Sequence, residues 1–189
     1  MRNQSTIRII FFVLAMATYL AVPAYMILEY EWRLDQGETY RFRTRPKDPF
    51  NPFTGRSMVL GFDQRRLSKH EDSEDLWKGE SIYILIDVDE EGFAYFSDYT
   101  KTIPEDRAYM KSELIHISKN HIKFDIPFDR YYLNEAMAPK AESLYRKMSR
   151  EDRDAVYVEV KILEGETILQ DLYIEHTPII EFMESRAQD

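Results

Sequence analysis

The chain of 189 residues has no cysteine, only six glycines, and fewer basic than acidic residues. Without cysteine there are no disulfides, no thiolate nucleophile, no thiolate zinc site and no iron-sulfur ligation. The compartment stays open, because many exported domains also lack cysteine. The few glycines form no phosphate-cradling loop, and neither a GxSxG elbow nor a Ser-x-x-Lys pair occurs. With 25 Lys and Arg against 34 Asp and Glu, the formal net charge is -9, which argues against a nucleic-acid surface. Repeats of 20 to 50 residues and low-complexity tracts are also missing.

What is present is apolar and aromatic: 44% hydrophobic residues, with 13 Tyr and 11 Phe. That supports a folded core and one domain with an appendage. The appendage is Ile9 to Leu28, twenty uncharged residues that span about 30 Å as a helix, the thickness of a bilayer's hydrocarbon core. Arg2 and Arg8 precede it, while Glu29, Glu31, Trp32 and Arg33 follow. The positive-inside rule then leaves the N-terminus in the cytoplasm and exports the remainder. A cleaved signal peptide is the competing reading, with Val22-Pro23-Ala24 a poor cleavage site because of its proline. Once Arg2 and Arg8 are set aside, the exported part holds 23 basic and 34 acidic residues, a net of -11, and stands off an anionic surface. The expected organisation is a basic tip (1–8), an anchor (9–28), a juxtamembrane linker (29–35), an extracytoplasmic domain (36–176) and a tail (177–189).

Within the domain, alternation predicts a first strand over Glu38 to Thr44. Pro46, Pro49 and Pro52 predict an extended loop to Thr54, and Ser57 to Phe62 a strand. The charge run in Arg65 to Lys78 reads as a solvated loop. Ile82, Ile84, Ile86 and Val88 alternate into a hairpin turning at Asp89 to Gly92 and returning through Phe93 to Phe96. A second hairpin turns near Lys119-Asn120, and a third joins Ala155–Leu163 to Thr167–Ile174 across Gly165. Ala141, Leu144, Tyr145 and Met148 recur with helical spacing in a helix over Asn134 to Arg150, with Pro139 in its first turn. Seven or eight antiparallel strands and one packed helix predict a mainly β sandwich or barrel behind a single N-terminal transmembrane helix.

The segment Asp48-Pro49-Phe50-Asn51-Pro52-Phe53-Thr54-Gly55-Arg56-Ser57-Met58-Val59-Leu60-Gly61-Phe62 and the block Arg130-Tyr131-Tyr132-Leu133-Asn134-Glu135, followed by Ala138-Pro139, carry a resemblance. The chain resembles the GDYXXLXY family over roughly residues 30 to 174. Gly55 and Leu60 match the motif outright and Phe62 stands for its last tyrosine. Arg56 replaces the aspartate and Ser57 the first tyrosine. The resemblance implies a membrane-anchored bacterial accessory protein, often encoded beside or fused to polytopic membrane proteins, and so a single-pass place in the cytoplasmic membrane. As binding residues it nominates Asp48, Pro49, Gly55, Arg56, Leu60 and Phe62, then Arg130, Tyr131, Tyr132, Asn134 and Glu135, with Arg43 as a guanidinium partner.

Other signals are weaker. Asp87 to Gly92 with Asp98 at the twelfth position imitates a calcium loop, but flanking strands rather than helices favour a β-turn. His70, His116, His121 and His176 show no metal-ligand spacing, so no metal or cofactor is expected. Glu135 has two readings. It is either a buried acid paired with Arg130 or Arg43, or a first-turn helix acid beside an Asn134 cap, with Tyr131 in the core and Tyr132 at the rim. The proline loop likewise either docks a partner or simply crosses between strands. The leading expectation is a non-catalytic accessory domain that binds a polytopic membrane protein. The alternatives are a hydrolase or transferase built on Arg43, Asp48, Tyr131 and Glu135, and an envelope ligand-binding module with tyrosines in a groove. The oligomeric state is not legible.

Overall fold

A computed structural model describes residues 2–46, 57–62, 64–70, 76–152 and 154–186, with side chains from residue 7 onward. The chain divides into two compact units, Met1–Gly37 and Glu38–Asp189.

The first unit is one helix, α1 (Arg2–Gln36), whose stretch Ile7–Gln36 contains an 18-residue window of mean hydropathy 2.0 and is long and apolar enough to cross a membrane. Residues 29–35, expected as a linker, continue this helix. The reason is local: no glycine or proline interrupts them, and Arg33 pairs with Glu29 one turn back at 2.7 Å. Gly37 ends the helix, its N–H donating to the Arg33 carbonyl.

The second unit is mainly β. Its strands are β1 (Glu38–Arg43), β2 (Arg45–Pro46), β3 (Ser57–Gly61), β4 (Arg66–Ser68), β5 (Ser81–Val88), β6 (Ala94–Thr100), β7 (Tyr109–Ile117), β8 (His121–Phe124), β9 (Arg130–Tyr132), β10 (Val156–Leu163), β11 (Glu166–Ile174) and β12 (Thr177–Pro178). Nine of them form one sheet in the order β12-β11-β10-β1-β6-β5-β7-β8-β4, and β2-β3-β9 form a second. Two antiparallel halves make up the large sheet, and they meet at a single parallel pairing, Phe42 opposite Ala94. The β10–β11 turn folds back onto β7, where the Lys111 N–H donates to the Gly165 carbonyl at 2.8 Å, so the sheet curls toward a barrel. Gly165 has φ +82°, and a Cβ there would lie 2.5 Å from the Tyr109 ring, so only glycine suits this approach.

Inside the curl, Phe42, Phe62, Phe96, Phe124 and Phe128 are buried, with Phe42 stacked on Phe96 at 5.2 Å and Phe62 edge-on to Phe128 at 5.3 Å. Helix α2 (Ala138–Glu151) buries Ala141, Tyr145 and Met148, the stripe its spacing predicts. The three expected hairpins are present, with Gly92 at φ +86° in the first turn. Other expectations need correcting. Arg66–Ser68 is not loop: it pairs with β8, buries Leu67, and is preceded by Arg65 in an ion pair with Asp129. Within 177–189, set apart as a tail, β12 pairs with β11 and α3 (Ile179–Ser185) buries Ile179 and Phe182.

Candidate functional site

The single pairing between the halves of the large sheet leaves a cleft of about 560 Å³ where β1 and β6 diverge. Its floor is apolar, made by Phe42, Phe62, Ala94 and Phe96. Its rim is polar, made by Arg43, Gln64, Asp89, Glu91, Tyr95 and Asp154. The local cause is alternation along β1: Phe42 points into the core and is 2% exposed, so its neighbour Arg43 points to the rim.

Arg43 organises the rim. Its guanidinium donates to the carboxylates of Asp89 and Asp154, lies 3.9 Å from Glu91, and sits over the Phe93 ring at 3.9 Å. Asp89 is held by more than this arginine, because its Oδ1 accepts the N–H groups of Glu91 and Phe93 and so closes the hairpin turn. Partial desolvation pushes the Asp89 carboxyl up, but Arg43 and the two N–H donors together hold it below the usual carboxylate range. Burial works against the charge on Arg43, and its two carboxylate partners more than offset it. The acids that imitate a calcium loop are therefore engaged elsewhere: Asp89 with Arg43, and Asp87 with Arg107 at 2.7 Å.

The second motif block lies on different elements. Tyr131 on β9 is 7% exposed and donates its hydroxyl to Asp171 on β11, while Tyr132 beside it is 71% exposed. Burial first, and then the hydrogen bond to Asp171, pushes the Tyr131 phenol well up. Arg130 is exposed, 3.9 Å from Asp129. Asn134 and Glu135 precede the helix rather than open it, since α2 starts at Ala138, has Met137 as its N-cap and holds no acid in its first turn. Asn134 instead closes the preceding turn, its Oδ1 accepting the Ala136 N–H and its carbonyl those of Met137 and Ala138. Glu135 is exposed.

From the first block, Leu60 is fully buried in β3 and Phe62 joins the cleft floor, whereas Asp48, Pro49, Gly55 and Arg56 lie outside the described residues. Arg43 and Phe62 therefore share the cleft. Tyr131 is turned to Asp171 instead, and Glu135 is not among the residues lining the cleft. The enzyme reading placed Arg43, Asp48, Tyr131 and Glu135 in one site; Asp48 lies outside the described residues, and of the other three only Arg43 lines the cleft. Asp154, Gln64 and Tyr95 were not anticipated, and no spacing could have found Asp154, which meets Arg43 across 111 residues.

The histidines are dispersed. His70 stacks on Tyr99 at 4.5 Å and pairs with Asp98 at 2.6 Å, His116 bonds Ser118, and His176 meets the Tyr157 hydroxyl.

No curated protein and no solved structure matches the chain. The profile described as GDYXXLXY protein matches residues 19–172, which takes in the end of the apolar helix, both motif blocks, the cleft and nearly the whole β unit, and the chain belongs to that family.

Proposed function

We propose that this protein is a membrane-anchored, non-catalytic binding domain that faces outward from the bacterial cytoplasmic membrane and holds a polytopic membrane protein. The observation that carries the reading is the cleft at the β1–β6 junction. It is open, apolar at its floor and charged at its rim, and it is carried on a chain with an apolar helix of spanning length. The charged rim side chains, Arg43 with Asp89, Glu91 and Asp154, are engaged with one another in ion pairs, which suits recognition more than proton transfer. Arg2 and Arg8 before the apolar run and the acidic surplus after it support the outward orientation.

Sidedness is testable against a clean background because the chain has no cysteine. A Ser143→Cys variant in intact cells is expected to react with a membrane-impermeant maleimide, and reaction only after lysis would overturn the orientation. For the partner, a photo-crosslinking amino acid placed in turn at Trp77, Tyr95, Tyr132 and Ile180, all exposed, is introduced into the full chain in native membranes. A discrete product with one integral membrane protein from at least one position is expected. No product from any of the four would sink the reading.

A further inference from the structure

The cleft at the β1–β6 junction is a bounded space. Beyond Ala94, where β6 parts from β1, strand β4 lies against β6 with Cα atoms within 8 Å, and His70 stacks on Tyr99 and pairs with Asp98. The cleft is walled by β1, β6, the β5–β6 turn, Phe62 and Gln64, and Asp154 before β10. A space of about 560 Å³ enclosed in this way has the size of a small-molecule site. Its floor is already in place. Phe42 stacks on Phe96 at 5.2 Å, Phe62 stands edge-on to Phe96 at 6.5 Å, and all three rings pack on Phe128. Side chains locked by one another lose little freedom when an apolar group covers them. The rim sets the charge. Each of the three guanidinium nitrogens of Arg43 faces an acid, Nε Asp154, Nη1 Asp89 and Nη2 Glu91, so this arginine is already neutralised. Three carboxylates against one guanidinium leave a surplus of negative charge, and the neighbouring cations are paired elsewhere, Arg107 with Asp87 at 2.7 Å and Arg41 with Glu159 at 3.0 Å. That surplus complements a cation. Glu91 has the most to gain, being 63% exposed and 3.9 Å from Arg43, longer than a hydrogen bond. Tyr95, exposed at the same rim, adds an aromatic ring of the kind that attracts cations.

From the bounded volume, the preformed aromatic floor and the acidic rim together, we infer that the cleft binds a small organic cation, whose apolar body lies on the phenylalanine floor and whose ammonium or guanidinium group meets Glu91 beside Tyr95. This rests on the binding-domain reading above and adds to it a diffusible ligand of stated size and charge. An anionic ligand of the same size would meet the surplus carboxylates and find Arg43 already paired.

The test uses the full-length protein in detergent micelles at pH 7 and the probe 2-phenylethylammonium, with 3-phenylpropanoate and 2-phenylethanol as its anionic and neutral twins and empty micelles as the blank. Titration calorimetry is expected to show saturable one-to-one binding of the ammonium, at least tenfold tighter than that of either twin. Glu91→Gln weakens it at least fivefold, and Glu184→Gln, on α3 and outside the cleft, leaves it within twofold. Because Glu91 is exposed on a turn, that variant is expected to fold. The 4-azido derivative of the probe is expected, on illumination, to label the stretches that wall the cleft, and excess unmodified probe to abolish the label. No saturable binding, equal affinity for the anionic twin, equal weakening by both variants, or labelling confined to α1 overturns the proposal, the last result being adsorption to the micelle. If the cleft is labelled in detergent but not in native membranes, a side chain of the membrane partner fills it there, which overturns a diffusible ligand. Should the probe fail while crosslinking from Trp77, Tyr132 or Ile180 still yields a membrane partner, only the cation site falls. Failure of both removes the binding-domain reading as well.

Discussion

The Arg43 cluster and the Tyr131–Asp171 pair use the same chemistry, a donor held against a carboxylate, in opposite settings. Arg43 stands at the rim of an open cleft where three carboxylates surround it. Tyr131 is shut between β9 and β11, and its one carboxylate is shared with the Leu172 N–H. A donor sealed in the interior fastens two sheets together. A cation at a rim can exchange one of its partners for a ligand. Both of the family's motif blocks contribute to the sealed interior: Leu60 and Tyr131 are buried, and β3 and β9 pair with each other through Ser57–Tyr132, Met58–Tyr131 and Val59–Arg130. The residues by which the two motif blocks pair, more than 70 apart in sequence, lie on adjacent strands of the small sheet. We read the motif chiefly as the scaffold that positions the cleft, to whose floor it contributes one side chain, Phe62.

The largest effect expected from this contrast is at Leu60. It is 0% exposed, so Leu60→Ala removes buried methyl groups and leaves a cavity that its neighbours fill only in part, at a cost of about 2 to 5 kcal/mol. Urea unfolding of the full chain in detergent, followed by tryptophan fluorescence, measures it. A loss under 1 kcal/mol would mean that the motif leucine is not a core residue. Next comes Tyr131→Phe, which keeps the ring and leaves Asp171 short of one donor, for an expected loss of about 1 to 3 kcal/mol. The same assay with Asp171→Asn tests whether the partner accounts for it, because the amide still accepts from the phenol and should cost less.

The pH dependence separates the two settings by sign. Asp89 has a folded pKa below its unfolded value, so its contribution is complete above the ordinary carboxylate value near 4 and is lost as pH falls through the depressed folded one. Tyr131, Tyr145 and Tyr173 are raised, each chiefly by burial, Tyr173 to about 12. Their contribution is complete below the ordinary tyrosine value near 10 and is lost as pH rises through the raised folded ones. The stability curve should therefore fall at both ends. Arg43→Met is expected to flatten the acid limb and leave the alkaline one, and Tyr131→Phe to do the reverse. If either variant altered both limbs alike, the cleft and the sealed pair would be one coupled unit.

How much of this the sequence carried depended on length and periodicity. The eight residues of β5 alternate so clearly because Ile82, Ile84 and Ile86 face one core, and pattern alone identifies such a strand. Strands β4, β9 and β12, of three, three and two residues, are too short to show a period, and Leu67 was hidden by the charges around it. The helix start moved from Asn134 to Ala138 because the Asn134 side chain and carbonyl close a turn of their own, a local competitor that capping rules do not resolve from sequence. Arg43 was legible as an arginine on the first strand, but its carboxylates arrive from the β5–β6 turn and from the segment before β10. Only the topology brings them together. The tandem tyrosines were read correctly in kind, one core and one rim, since adjacent residues on a strand face opposite sides.

That alternation makes Tyr132 the smallest and most discriminating test. Its side chain is 71% exposed at the end of β9, where it pairs through its backbone with Ser57 and buries little of its ring. Substitutions at such sites are worth within about 0.5 kcal/mol, so Tyr132→Ala in detergent should leave the unfolding midpoint close to wild type while Tyr131→Ala, one residue away, lowers it sharply. The same pair measured in native membranes sharpens the comparison further. A partner seated on the exposed tyrosine stabilises the state that binds it, so Tyr132→Ala would then lose stability in the membrane that it does not lose in detergent. If Tyr132→Ala is as costly in detergent as Tyr131→Ala, its ring is packed against part of the chain itself, and the division of the second motif block into one core and one surface residue fails.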